Sequence, residues 1–369
     1  MTLVIDPPLL NSACPWATTE ADLQGLYDCP HTGAITIRTS RLDGFANDPS
    51  IHQYAFFNPS SQTASADPSA PAPGADASMN SLGYSPIKLE EYLGYIKNIA
   101  SKSKPQTQGG SANETDPKLQ PIIISVTGTP EQVTECYRQI TALQKEVEIP
   151  LAMEINLSCP NILNMPLPGY SSESLSTFLT ALAYELERQR RHRKPAGSAR
   201  SSGSASSFQT TGDNVAGWRR AVPIGLKMPP YTYAGQFEQM IAALAISTSL
   251  ASPCPIAFLT ATNTLGSCLV LSEHQDGKPF TPVLNTTSQA GIGGMAGAPL
   301  HPLALGNVKM LRELLDTNPD LAHIMIIGVG GVSDRAGFER MRHVGAGAVG
   351  LASALGRKGI TVFKEILEG

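Results

Sequence analysis

The sequence predicts a parallel α/β fold, a single (β/α)8 TIM barrel over residues 1–369 with low-complexity loop insertions. Three observations lead there. Eight short apolar stretches alternate with helical patterns, which favours a closed barrel over an open sheet. Several of these stretches end in polar or glycine-rich residues, and the carboxyl ends of the strands are where such barrels place their active sites. Finally, 369 residues of which 41% are apolar can bury one large core, enough for a barrel of about 250 residues plus insertions. Two compact domains are the alternative.

Taken in order, the first strand is expected from about Leu3 to Ser12, and Thr18-Thr19-Glu20-Ala21-Asp22-Leu23 has the form of a capped helix start. Gly33 to Arg38 makes a second strand, rich in β-branched residues and ending in a cation followed by Thr39 and Ser40. Residues 58–78 are rich in Pro, Ala and Ser and almost free of large apolar side chains, so they read as a flexible insertion, closed by Ser78-Met79-Asn80. Leu89, Tyr92, Leu93 and Ile96 recur at helical spacing over Leu89 to Ala100, and residues 101–117 form a second low-complexity tract. Pro121 to Gly128 is the third strand, and Pro130 suits the first turn of a helix running to Val147. Leu151 to Leu157 is the fourth strand, stopped by Pro160, after which Pro166, Pro168 and Gly169 make a stiff loop placed to close over a ligand.

A long helix follows from Ser172 to Arg191, with Leu175, Phe178, Leu179, Leu182 and Leu186 on one face. It runs into a basic stretch and a Ser/Gly tract that together make a third insertion, residues 188–216, read as solvated surface and not as a sorting element. Pro223 to Met228 is the fifth strand, Gly235 to Ser249 a helix, and Ile256 to Asn263 a sixth strand ending Thr262-Asn263-Thr264. After a long excursion, the glycine-rich Gly291 to Gly297 leads into a helix beginning near Pro302. Ile324 to Gly328 is the seventh strand, followed by Val329-Gly330-Gly331, and Ala346 to Leu351 the eighth, followed by Ala352-Ser353.

Charge and cysteines bound the partners. A net charge of −4 supplies no global basic field, so nucleic acid is not expected. Cys14, Cys29, Cys136, Cys159, Cys254 and Cys268 lie far apart without metal-ligand spacing, which points to a reducing compartment and to no metal. The amino terminus has no basic and apolar leader pattern, and Ser247, Thr248, Ser249, Pro253 and Pro255 interrupt the most apolar window. A cytoplasmic protein without a membrane partner is therefore expected.

The chemistry concentrates in Glu154-Ile155-Asn156-Leu157-Ser158-Cys159-Pro160-Asn161, where a buried-strand pattern ends in two carboxamides, a hydroxyl and a thiol. A lone cysteine is more often a small buried hydrophobe. Here the flanking amides suit a ring of alternating N–H and C=O groups, and the strand end places the thiol for acid/base or nucleophilic work. Lys227 near the end of an apolar strand is costly unless it faces a polar ligand. Glycines after the seventh strand and small residues after the eighth are where many barrels hold a phosphate. A phosphate there, with Lys227 reaching in from the fifth strand, suits flavin mononucleotide, FMN.

The segments INLSCPN, LKMPPY, TNTLGS, GIGGMAGAPLHPLALGNV and IIGVGG, in this order, resemble the soluble, single-chain, fumarate-type class of dihydroorotate dehydrogenases. The resemblance implies an FMN enzyme that oxidises dihydroorotate to orotate in pyrimidine synthesis and passes the electrons to fumarate. It implies that Cys159 is the base that takes the C5 proton while hydride leaves C6 for flavin N5. By the same resemblance Asn80, Asn156, Asn161, Asn263 and Thr264 bind the pyrimidine and its carboxylate. Ser12, Ala13, Arg38, Thr39, Lys227, Gly293, Gly294, Gly330, Gly331, Ala352 and Ser353 fall at cofactor positions, and a homodimer is the assembly left open. Two departures stand out: Arg38 replaces the family's lysine, and Ser12-Ala13-Cys14 replaces its usual Ala-Ser-Gly. They keep open a diverged flavoenzyme for another reduced pyrimidine or enone, or a non-catalytic flavin-binding paralogue.

Overall fold

In a computed structural model, residues 3–64, 71, 73–103, 119–161, 167–193, 221–249, 254–272, 280–286 and 290–369 are described. The first half of the chain supplies β1 (Leu9–Asn11), α1 (Glu20–Asp28), β2 (Ile35–Thr36), β3 (Tyr54–Phe57), β4 (Ala77–Asn80), α2 (Leu89–Lys102), β5 (Ile122–Val126), α3 (Pro130–Gln144), β6 (Leu151–Asn156) and α4 (Ser172–Arg193). The second half supplies β7 (Ile224–Met228), α5 (Ala234–Thr248), β8 (Ile256–Ala261), β9 (Leu265–Cys268), β10 (Leu271–Ser272), β11 (Thr281–Pro282) and β12 (Gly293–Gly297). It ends with α6 (His301–Asp316), β13 (Met325–Val329), α7 (Arg335–His343), β14 (Ala348–Leu351), α8 (Ser353–Lys358) and α9 (Thr361–Glu368).

Eight strands form one parallel sheet in the order β1-β14-β13-β8-β7-β6-β5-β2, the expected (β/α)8 barrel. The seam between β1 and β2 is thin. It consists of one bridge, Leu10 to Ala34, a bond from Gly33 N–H to Leu9 C=O at 2.8 Å, and the Asn11 carboxamide. That side chain donates to Thr36 C=O at 2.6 Å and accepts from Thr36 N–H at 2.9 Å, standing in for a ladder pair.

Strand alternation sorts the apolar residues into two sets. Leu10, Ala34, Ile123, Ala152, Phe258, Ile327 and Ala348 pack together inside the barrel, while Ile122, Ile124, Leu151 and Met153 meet the helices outside. Phe258 needs the space beside Gly225, whose Cβ would stand 2.2 Å from its ring. Thr19 and Thr129 cap α1 and α3 with reciprocal boxes to Asp22 and Gln132, and Pro130 occupies the first turn of α3.

Several boundaries differ from expectation. The first strand begins at Leu9 because Pro7 and Pro8 have no N–H to give to a ladder. A four-stranded antiparallel sheet, β3-β4-β12-β9, roofs the barrel mouth where the sequence suggested an insertion and a glycine-rich loop. The glycines make its close pairing possible: a Cβ on Gly297 would stand 2.4 Å from Asp76 C=O, and one on Gly293 2.4 Å from Asn80 C=O. Pro168 to Tyr170 is a 3-10 turn docked on the barrel, with Gly169 N–H donating to Leu157 C=O at 3.1 Å and Tyr231 OH to Gly169 C=O at 2.6 Å. That part of the expected closing loop is pinned down, and Pro166 lies outside the described residues. Most of 101–117 and of 188–216 lies there too, and so do residues 65–70 and 72 of the first expected insertion. Of the described remainder, Ala77 and Ser78 belong to β4, Ser101 and Lys102 to α2, and 188–193 to α4, while 58–64, 71 and 73–76 lie in turns and loop with a single bridge, Ala64 to Phe57.

Candidate active site at the carboxyl ends of the barrel strands

Two joined cavities open under the roof. The first is lined by Cys159, Asn80, Asn156, Asn161, Asn263, Thr264, Arg38, Thr39 and Lys227, among others. The second runs from Lys227 and Asn263 past Ser12 and Ala13 to Gly330, Gly331, Ala352 and Ser353. Gly293 and Gly294 line neither. They are paired strand residues of β12, and Gly294 acts from behind, its carbonyl accepting from Asn80 Nδ2 at 3.2 Å.

The four carboxamides are locked by backbone groups whose donor or acceptor character is fixed. Asn156 Oδ1 accepts from Ser158 N–H at 3.2 Å, so its Nδ2 faces Thr39 Oγ1, 3.0 Å away. Asn263 Oδ1 accepts from Thr264 N–H at 2.8 Å, and its Nδ2 donates to Ser158 Oγ at 3.0 Å and Asn156 Oδ1 at 3.2 Å. Asn161 Nδ2 donates to Leu82 C=O at 2.9 Å and to Asn80 Oδ1 at 2.7 Å. What this leaves for a ligand is specific: an acceptor on Asn161 and one remaining N–H each on Asn80 and Asn156.

Charge in the first cavity is of one sign. Its lining holds Lys227 and Arg38 and no carboxylate. Lys227, 5% exposed, donates to Ser12 Oγ and Ala13 C=O, both at 3.3 Å. Arg38 Nη2 donates to Gly83 C=O at 3.2 Å, tying the end of β2 to the loop after β4. Burial pushes the Cys159 thiol above its ordinary value of 9.0, and the Asn161 backbone N–H, Lys227 and Arg38 pull it partway back. Cys14, in the same lining, is raised by burial to about 11.

Sequence reasoning missed two groups. One is an aromatic wall: Trp16 stacks on Phe56 with centroids 5.8 Å apart and meets Tyr54 edge-on at 5.5 Å, and Trp16, Tyr54 and Tyr84 face the cavity. The other lies beneath the amides, where Ser125 and Thr260 donate to the two oxygens of buried Glu154 at 2.9 and 2.6 Å, and Thr39 meets Ser125 at 3.0 Å. Among the described residues no His, Cys, Asp and Glu cluster could hold a metal, and no helix is long and apolar enough to cross a membrane.

Fold and site together are those of a barrel enzyme, with a polar cavity at the carboxyl ends of its strands. Residues 52–369 match the family described as Dihydroorotate dehydrogenase. A dihydroorotate dehydrogenase (fumarate) of Trypanosoma cruzi is 25% identical over 365 residues, spanning 97% of this chain and 87% of that one. A putative dihydroorotate dehydrogenase A (fumarate) of Streptococcus uberis is 27% identical over 302 residues, 80% of this chain and 73% of that one. A ligand-free type DHODH from Eimeria tenella shares the fold, with a TM-score of 0.63 at 13% identity over 97% of this chain and 82% of that one. The chain belongs to the dihydroorotate dehydrogenase family. It is thus an oxidoreductase acting on a CH–CH group, in a family that is flavin-dependent and named for the oxidation of dihydroorotate.

Proposed function

We propose that this chain oxidises dihydroorotate to orotate in pyrimidine synthesis, with FMN as cofactor, Cys159 as general base and fumarate as electron acceptor. The observation that carries the reading is the position of Cys159, among locked carboxamides and two cations, in a cavity continuous with a glycine-walled one. The fumarate assignment follows the names of the relatives. The residues present fit FMN. Gly330 and Gly331, at φ of 144° and 69°, give the second cavity a wall of bare backbone, and two buried polar atoms there, on Arg357 and Asp76, lack partners.

In this reading Gly330, Gly331, Ala352 and Ser353 would hold the phosphate, while Ser12, Ala13, Thr39, Lys227 and Arg38 would flank the ring system. When bound, FMN supplies the two-electron oxidant that accepts hydride. Cys159, as thiolate, takes the proton from C5 of dihydroorotate. Asn161 Oδ1 accepts from a ring N–H, and the remaining N–H groups of Asn80 and Asn156 donate to ring or carboxylate oxygens. Thr264 closes the same wall, Asn263 holds Asn156 and Ser158 from behind, and the two cations favour the substrate carboxylate and the thiolate alike. Arg38 gives one of its donors to Gly83 C=O, and its guanidinium still lines the cavity that would receive the substrate.

A cytoplasmic setting agrees with six free cysteines. A single barrel over 1–369 with 58–78, 101–117 and 188–216 as insertions is part of the proposal. So is a homodimer, for which the exposed Leu269, Phe280 and Ile292 on the roof offer apolar surface and which light scattering tests. The central experiment is anaerobic addition of dihydroorotate to the flavin-loaded protein. Bleaching of the flavin, reversed by fumarate, is expected; a loaded protein that dihydroorotate leaves oxidised would refute the assignment.

A further inference from the structure

The end of the second cavity away from Cys159 carries two charged side chains that no step above employs. Arg357 from α8 and Asp76 from the turn before β4 both line it. Arg357 Nε and Asp76 Oδ1 are buried and have no hydrogen-bond partner, so these atoms do not satisfy one another. Burying such atoms unpaired is costly, the more so when the group is charged. Other cations nearby are engaged: Lys358 with Ser333 C=O at 3.0 Å and Glu365 at 2.9 Å, and Lys227 with Ser12 and Ala13. Asp76 also sits close to the glycine wall. Gly297 is packed against Asp76 C=O, and a Cβ on Gly331 would stand 2.7 Å from Gly297 C=O.

We infer that Arg357 and Asp76 are a side-chain receptor for a phosphorylated polyol, the guanidinium taking a phosphate oxygen and the carboxylate accepting from a hydroxyl. The chemistry narrows the class. A simple anion would leave Asp76 unpartnered and opposed in charge, and a neutral polyol would give Arg357 an acceptor but no opposite charge. One ligand bearing both groups satisfies both atoms, and the ribityl phosphate of FMN is such a ligand. The inference rests on the FMN reading and deepens it: this chain adds side-chain charge to the backbone cradle, so Arg357 selects FMN over riboflavin while Asp76 serves both.

The test uses the full chain, stripped of flavin and titrated with FMN and with riboflavin, following flavin fluorescence. Arg357→Gln is expected to weaken FMN by about tenfold or more and to leave riboflavin nearly unchanged, with Arg357→Lys in between because it keeps the charge and loses the fork. Asp76→Asn is expected to weaken both flavins by similar factors. Unchanged FMN-to-riboflavin ratios in folded Arg357→Gln and Arg357→Lys would reduce this end to a water-filled one and overturn the inference. Tighter FMN binding in Asp76→Asn would overturn the role of the carboxylate. A wild-type chain that binds neither flavin would instead refute the cofactor reading itself.

Discussion

Ser125 gives its only hydroxyl proton to Oε1 of Glu154, 2.9 Å away, and through that bond a carboxyl inside the barrel supports the orientation of Asn156 that the Ser158 N–H sets. With Ser125 committed as donor, Thr39 must donate to Ser125 across their 3.0 Å contact. The Thr39 oxygen is then open to accept from Asn156 Nδ2 at 3.0 Å. The chain runs one way, from amide to carboxyl, and its members are all buried.

Ser125→Ala breaks this chain at its middle while keeping the backbone. We expect orotate binding to weaken by about 5- to 50-fold, the worth of one hydrogen bond in a charged network, with a smaller change in the limiting rate of flavin reduction. Thr260→Val is the control, because Thr260 touches the same carboxyl at 2.6 Å from outside the chain. Equal losses of orotate affinity in both variants would show that Glu154 only supports the core.

Cys159→Ala should slow flavin reduction by about 10²- to 10⁴-fold with flavin retained, as expected for loss of a general base. The wild-type pH profile follows from the raised thiol. The working form is the thiolate, burial holds its formation above 9.0, and so the rate should still climb with pH beyond that point. Stopped-flow reduction across the alkaline range measures this, and a plateau well below pH 9 would remove the thiol from the proton step.

Arg38 separates charge from shape. Arg38→Lys keeps a cation beside Cys159 and should preserve or raise the rate with dihydroorotate, since the ammonium is less bulky. Arg38→Met loses both the charge and the bond to Gly83; the KM should rise by about tenfold and the pH profile shift further to the alkaline side. A wild type and a lysine variant equally inert toward dihydroorotate would point to a different substrate.

Deleting residues 195–212 should leave the melting temperature and turnover essentially unchanged, because a Ser/Gly-rich stretch brings little apolar area to a core and loop length is thermodynamically inexpensive to alter. Differential scanning calorimetry and a turnover assay on the shortened chain decide it.

Cys159, Asn156 and Asn161 were legible because they follow one another at the end of one apolar strand, and Asn263 and Lys227 because their strands end in the same manner. The roof was not. β12 reads Gly-Gly-Met-Ala-Gly, a poor strand former alone, and is extended because β4 and β9 pair with it on both sides, with Asn80 C=O of β4 so close that only glycine fits at 293. Tyr54 escaped notice for the same reason, its local signal being the aromatic run Tyr54-Ala55-Phe56-Phe57, while Trp16 is a single aromatic in the loop between β1 and α1. Glu154 was visible as a strand residue, but its partners depend on register: Ser125 pairs opposite it on β5, and Thr260 lies two strands away on β8, opposite Lys227 of β7.

The Asn11 carboxamide has a mechanical consequence. Where the barrel closes, it does what a row of ladder bonds does elsewhere, and the next residue, Ser12, receives the Lys227 ammonium at the mouth. Breathing of the cylinder should therefore start at this latch, and whatever settles against Ser12 and Lys227 draws it tight. Occupancy of the mouth would then be sensed around the whole circumference, as slower amide exchange at Thr36 on the far side of the seam.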